Sequence, residues 1–291
     1  MKTSVITFSR NDGYKEKERV AIHLNTLLDT FDEVNYVDWN SPTHSLLYDI
    51  IEANLLPKTG RLKHFVVPPS VHNPYSEAIP DFPKCFGPIS FNLALRRTDA
   101  DWLVATTTDN IPPTREELQE IISKSDGNTF YTISRREIEY SEILKNINNL
   151  PEYRNHLKEI TQPRYFPAKV TPNDEYSLIN CCGDFQLAPR KIWWDIKGFE
   201  ENMFYNCFID TNIQKKAALA GYKLEAIYDI PMYHMSHDNI LPQAHTSKLH
   251  EKADKKPPKY NDAWTWVEWF KESQNDENWG LGNTEIEFEI F

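Results

Sequence analysis

One feature limits the folds open to this chain more than any other: short apolar runs alternate with longer, helically spaced segments through its first half. Such alternation yields a mostly parallel β-sheet covered by helices on both faces, because each strand needs a crossover helix before the next can lie parallel to it. Ser4 to Phe8 is the first run, and it stops at Ser9-Arg10-Asn11-Asp12. Between Lys15 and Phe31, the residues Val20, Leu24, Leu27, Leu28 and Phe31 fall on one helical stripe. Glu33 to Asp38 has the period of a strand and runs into Trp39-Asn40-Ser41-Pro42, a polar cluster of the kind that closes a strand. A helix over His44 to Leu55 and a strand over Leu62 to Val67 continue the pattern.

The segment Pro68 to Pro88 carries six prolines, which argue for an ordered loop over the sheet, with Tyr75, Phe82 and Phe86 turned inward. Beyond it the sequence predicts a helix over Ile89 to Arg97, a strand over Trp102 to Thr106, a helix over Thr114 to Ser123 and a strand over Phe130 to Arg135. From Glu137 to Asp174 the pattern weakens into an insertion near an acceptor side. It recovers at Tyr176 to Ile179 and again in a helix over Ile209 to Ala220 that Gly221 caps. Lys252 to Lys259 reads as an exposed connector, and the cluster Trp264, Trp266, Trp269 and Phe270 as a C-terminal helix docked on the main body.

With 291 residues and 40% hydrophobic content the chain can bury a large core. We expect one domain over residues 1–240, with 241–291 as an extension packed on it. The net charge of −11 argues against a nucleic-acid partner, since such binders need a basic face. A phosphorylated ligand would therefore need a local device to hold it: a cation, a helix N-terminus or a few basic side chains. Cys85, Cys181, Cys182 and Cys207 have no C-x-x-C spacing and read as free thiols of a reducing compartment. The N-terminus lacks the form of a secretory signal, and no apolar run reaches membrane-spanning length. These features place the protein in the cytoplasm, with peripheral contact to a membrane-bound acceptor left open.

Ligands of open α/β sheets bind outside the carboxyl ends of the strands, and four polar clusters fall at such ends. They are Ser9 to Asp12; Asp38; Thr107-Thr108-Asp109-Asn110; and the set Gly183-Asp184, Asp210, His234 and His237. Asp38 suits a base N–H or a ribose hydroxyl, or else caps a turn. Asp109, at a strand terminus, suits a Mg2+ or Mn2+ ion that neutralises a diphosphate. Asp210 suits proton removal from an acceptor hydroxyl, or helix capping. Asp184 suits hydroxyl binding, or capping of the turn at Arg190 to Trp194. The imidazoles can complete a metal shell.

The order of S-R-N-D, V-D-W-N-S, N-L-A-L-R-R-T-D-A-D-W-L-V-A-T-T-T-D-N-I-P-P, G-D-F-Q-L-A-P-R-K-I-W-W-D-I-K-G-F-E-E, F-I-D-T-N-I-Q-K-K-A-A-L-A-G-Y and Y-H-M-S-H-D resembles the GT-A glycosyltransferases, close to the family 2 group, over residues 3 to 238. The resemblance implies a nucleotide-sugar donor, UDP-linked, bound by Ser9, Arg10, Asp38, Asn92, Thr108 and Asp109. It implies a divalent metal, Mn2+ or Mg2+, on Asp109 and His234. Asp210 then matches the acid that activates the acceptor in inverting members, and Asp184 joins it in the catalytic set. The acceptor would be a saccharide or glycan.

Two positions depart from the family pattern. Thr107 stands where the first acid of the D-x-D motif belongs, so the motif reads T-T-D, and Ile209 stands where a second acid often precedes the base. Arg96, Arg97 and Lys191 are further candidates for diphosphate contact. Trp39, Trp193, Trp194 and Tyr205 are candidates for sugar stacking, against core packing as the default. A non-catalytic saccharide-binding relative and a sugar nucleotidyltransferase are the rival readings, and S-R-N-D-G-Y-K lacks the glycines the latter needs.

Overall fold

The computed structural model describes residues 1–11, 17–42, 44–78, 84–146, 150–161, 184–203, 209–236 and 275–291. Its centre is a nine-stranded sheet in the order β5-β8-β6-β7-β4-β1-β2-β3-β9. The strands are β1 (Thr3–Ser9), β2 (Glu33–Trp39), β3 (Leu62–Val67), β4 (Trp102–Thr106), β5 (Asn110–Ile111), β6 (Thr129–Ile138), β7 (Phe185–Pro189), β8 (Lys223–Met235) and β9 (Phe288–Ile290). Parallel ladders join β1 to β2, β1 to β4, β2 to β3 and β6 to β8. Antiparallel ladders join β4 to β7, β6 to β7, β5 to β8 and β3 to β9. Hence β1, β2, β3, β4, β6 and β8 all run one way, with β5, β7 and β9 against them. The expected mostly parallel sheet is present.

Helices cover both faces. On one face α1 (Lys17–Thr30), α2 (Leu46–Glu52) and α5 (Arg115–Lys124) bury Leu24, Leu47 and Ile121 against Val5, Val34 and Val104. On the other, α4 (Gly87–Arg96), α8 (Arg190–Asp195) and α9 (Ile209–Leu219) bury Leu93, Trp193 and Ile213 against Ile6, Ala105 and Phe130. Residues alternate between the two cores along each strand because successive side chains leave a strand on opposite faces. A smaller cluster of Ile111, Ile138, Ile143, Leu157 and Met235 ties α6 (Tyr140–Lys145) and α7 (Leu150–Ile160) to the β5–β8 edge.

Three expectations change. The proline-rich stretch holds a helix, α3 (Pro69–Ala78): Pro69 presets φ for the first turn, where no intrahelical N–H is needed, and Pro74 is tolerated inside. Strand β6 runs on past the expected end at Arg135 to Ile138, so Arg136 and Glu137 are strand residues too. A register shift between Ile133 and Arg135 lets the strand pass beyond its apolar part. The C-terminal residues turn back as β9 onto β3. The expected strand at Tyr176 to Ile179, the connector Lys252 to Lys259 and the aromatic cluster from Trp264 to Phe270 lie outside the described residues. No helix among the described residues is long and apolar enough to cross a membrane.

Candidate active site

The C-terminal ends of β1, β2, β4, β6 and β8 share one rim of the sheet, and the antiparallel β5 and β7 begin there. This rim collects the polar residues. Thr106 ends β4, and its hydroxyl donates to the carbonyl of Asp184, at the start of β7, at 2.7 Å. The turn Thr107 to Asp109 then returns as β5, whose Asn110 pairs with His234. From α1, His23 Nδ1 meets the carbonyl of Asn110 at 2.5 Å, while Nε2 takes the Thr7 hydroxyl at 3.1 Å. Arg154 from α7 binds the carbonyls of Pro112 and Pro113. The two helices therefore hold β5 and the residues that follow it, next to the turn that carries Asp109.

Asp109 is buried, and its two carboxylate oxygens differ. Oδ1 accepts the Thr107 hydroxyl at 2.8 Å, and Oδ2 faces His234 Nε2 at 3.6 Å. The other ring nitrogen, Nδ1, lies 2.8 Å from Glu137 Oε2 and 2.9 Å from Arg135 Nη2. Arg135 also donates through Nη1 to Asp184 Oδ2 at 2.6 Å and through Nε to Glu137 Oε1 at 2.8 Å. A continuous chain Asp109–His234–Glu137–Arg135–Asp184 thus spans the ends of four strands. Burial opposes a charge on His234, but Asp109 and Glu137 outweigh it and raise the imidazole above its ordinary value. Burial would likewise raise Glu137, yet His234 and Arg135 hold it down to about 2.

Asp38, at the end of β2, is 1% exposed. Its Oδ1 accepts from Ser41, whereas Oδ2 completes no hydrogen bond, although Ser45 and the Leu46 amide lie near. Burial raises its carboxyl above the usual range, against the pull of Ser41, Ser45 and Arg10. Ser9 is buried with its hydroxyl against Tyr36, and Arg10 Nε donates to the Asn40 carbonyl at 2.7 Å, bridging the ends of β1 and β2. Thr108 is buried beside Asp109. Asp210 opens α9. That helix ends four residues before Lys223, which pairs with Thr129 at the far end of the sheet. Eleven helical residues span about 16 Å, so the N-terminus of α9 lies toward the polar rim. Gly183, Tyr205 and His237 lie outside the described residues.

Other candidates lie elsewhere. Asn92 is fully buried in α4, donating to the Phe199 carbonyl and Glu201 and accepting from the Phe199 amide, each at 2.8 Å. Its amide is spent on structure, which removes it from the nucleotide set. Arg96 and Arg97 end α4, which runs against the strands, and so sit at the opposite rim. They hold the carbonyls of Glu277, Trp279, Gly280, Leu281 and Thr284. Lys191 follows β7 to that same far rim and lies over Tyr222. Trp39 and Trp193 are core, and Trp194 packs edge-on against Trp279. The capping alternative for Asp184 falls away, because Pro189 precedes α8 and Asp184 pairs with Arg135. Sequence reasoning missed Arg135 and Glu137. Their signal was R-R-E directly after an apolar strand.

Among the described residues, no three His, Cys, Asp or Glu side chains group to hold a metal ion. Neither a family model nor a curated protein matches the sequence. Solved structures do match the fold. S. aureus TarS, residues 1–349, superimposes with a TM-score of 0.52 at 17% identity, over 81% of this chain and 60% of that one. The mannosyltransferase PcManGT from Pyrobaculum calidifontis, solved in complex with GDP-Man and Mn2+, gives 0.52 at 15% identity over 92% and 69%. The chain thus spans about three-fifths of the first of these. The fold is that of the GT-A glycosyltransferases.

Proposed function

We propose that the protein transfers a sugar from a nucleoside diphosphate sugar, UDP-linked, to a saccharide hydroxyl with inversion, assisted by a divalent cation. The observation that carries this reading is the facing pair of Asp109 Oδ2 and His234 Nε2, 3.6 Å apart at the strand ends of a GT-A sheet. The donor chemistry fits a cation. Thr107 occupies Oδ1 and so leaves Oδ2 directed at the imidazole, an oxygen and a nitrogen of the kinds Mn2+ accepts. Two protein ligands suffice where diphosphate oxygens and water fill the other positions. The T-T-D motif is then intelligible, because Thr107 orients the remaining acid in place of adding a second one. A cation bound there would offset charge on the departing diphosphate.

The other residues divide the remaining work. Asp38 offers its unsatisfied Oδ2 to an N–H of the nucleotide base. Asp184, held in place by Arg135, receives a sugar hydroxyl. Asp210 takes the proton of the attacking hydroxyl as the new glycosidic bond forms. That PcManGT is solved with GDP-Man and Mn2+ supports this donor class.

The test is release of nucleoside diphosphate from UDP- and GDP-sugars with Mn2+, with and without oligosaccharide acceptors. Asp109→Asn should abolish both transfer and slow hydrolysis, a loss on the order of 10²-fold or more. Asp210→Asn should lower transfer by about 10²–10⁴-fold and spare Mn2+ and nucleotide binding. A product of retained anomeric configuration would reject the role given to Asp210.

A further inference from the structure

His234 Nδ1 lies between two groups that demand opposite things of it. Glu137 Oε2, at 2.8 Å, can only accept, so it requires a proton on Nδ1. Arg135 Nη2, at 2.9 Å, can only donate, so it requires a lone pair there. The choice fixes the rest of the ring. A neutral imidazole with its proton on Nδ1 turns the Nε2 lone pair toward Asp109; with its proton on Nε2 it turns an N–H there instead, where a cation has no use for it.

Geometry decides between them. A proton on Nδ1 finds Glu137 Oε2 at 2.8 Å, whereas a proton on Nε2 finds Asp109 Oδ2 at 3.6 Å, a much weaker contact. Arg135, for its part, already donates to Asp184 and twice approaches Glu137 Oε1, so it does not depend on the imidazole. We infer that Glu137 is a positioning residue that holds His234 in the Nδ1–H form and so presents Nε2 to a divalent cation beside Asp109. This rests on the cation site of the proposed function. Arg135 in turn keeps the Glu137 carboxylate aimed at the ring, gripping its other oxygen while tied to Asp184 just before β7.

The tautomer can be read without metal or activity. In the full-length, metal-free protein with 15N-labelled histidine, in alkaline buffer where the ring is neutral, His234 is identified by its loss in His234→Gln. Its Nδ1 should carry the proton in the wild type. Glu137→Gln, whose amide oxygen still accepts, should keep that form, and Glu137→Ala should release it. Binding of Mn2+ in the presence of UDP or GDP, followed by electron paramagnetic resonance, should weaken by roughly 10–100-fold in Glu137→Ala and by less in Glu137→Gln.

A wild-type ring protonated on Nε2 overturns the inference. So does a Glu137→Ala protein that keeps both the Nδ1–H form and wild-type Mn2+ affinity. Should the wild type hold Nδ1–H yet take up no Mn2+ with either nucleotide, the cation reading falls while Glu137 is upheld as the group that sets the tautomer.

Discussion

Thr107 shows how one side chain can alter the meaning of a motif. A threonine in the first position of an acid-x-acid pattern looks like a lost ligand. Here its hydroxyl donates to Asp109 and accepts from Asn110 Nδ2 at 2.7 Å, so it sets the orientation of the acid that remains. Thr107→Val keeps the shape and removes both bonds. A hydrogen bond to a carboxylate is worth about 1.5–3 kcal/mol, so Mn2+ affinity measured with UDP present should fall roughly tenfold or more, with Thr107→Ser close to the wild type. Equal affinities in the valine and wild-type proteins would show that Asp109 needs no such support. Asp109 and His234 were legible as candidates because each follows an apolar run at a strand end. Arg96 and Arg97 were candidates by residue type, which carries no helix direction: a helix that returns between parallel strands ends at the rim away from the site. Asn92, midway along the same helix, bonds Phe199 and Glu201. Glu137 was hidden for a different reason. The strand that bears it turns polar once it leaves the core, and an apolar pattern cannot follow it.

At the scale of elements, β1 to β4 could be read because each is an apolar run bounded by turn residues. Strand β7 is five residues ending in proline and β5 is two, too short to show a period. The C-terminal strand did carry a signal, the alternation of Ile286, Phe288 and Ile290 with glutamates, but an edge strand far along the sequence has no local feature naming its mate. What locks this return is the segment before it. Gly280 lies at φ +64, its amide donates to Glu201 at 2.6 Å, and Arg97 binds its carbonyl at 2.7 Å. A Cβ there would stand 2.4 Å from the Asn92 carbonyl oxygen. Gly280→Ala therefore meets both a left-handed backbone and a backbone clash, and should cost roughly 2–4 kcal/mol. Gly60→Ala, at φ +71 with open space around it, should cost only about 1 kcal/mol. Comparison of the two by urea unfolding tests the latch: similar losses would mean that the Asn92 contact gives way at little expense.

Across the whole molecule, the charge balance determines how ligands must arrive. The chain carries a net −11, and at the polar rim Asp109, Glu137 and Asp184 accompany Arg135 and His234 among the described residues. A nucleoside diphosphate entering alone adds negative charge beside Asp109, and a cation entering alone finds a carboxylate and an imidazole, fewer ligands than Mn2+ seeks. On the proposed reading each would supply what the other lacks: diphosphate oxygens would complete the coordination of a cation held by Asp109 and His234, and the cation would offset the repulsion. Binding should accordingly be strongly coupled, and coupling free energies of about 1–3 kcal/mol, or 5–150-fold in affinity, are typical of linked sites. The linkage is reciprocal, so Mn2+ should tighten UDP or GDP by the same factor that the nucleotide tightens Mn2+, and calorimetric titrations in both orders can verify the equality. In thermal unfolding, the shift with both ligands should exceed the sum of the separate shifts, because ligand stabilisation follows the affinity for the folded state. Asp109→Asn should reduce the joint shift to that sum. If the nucleotide stabilises the wild type equally with and without Mn2+, the phosphates are held by protein groups alone, and Asp109 and His234 do not meet around a cation.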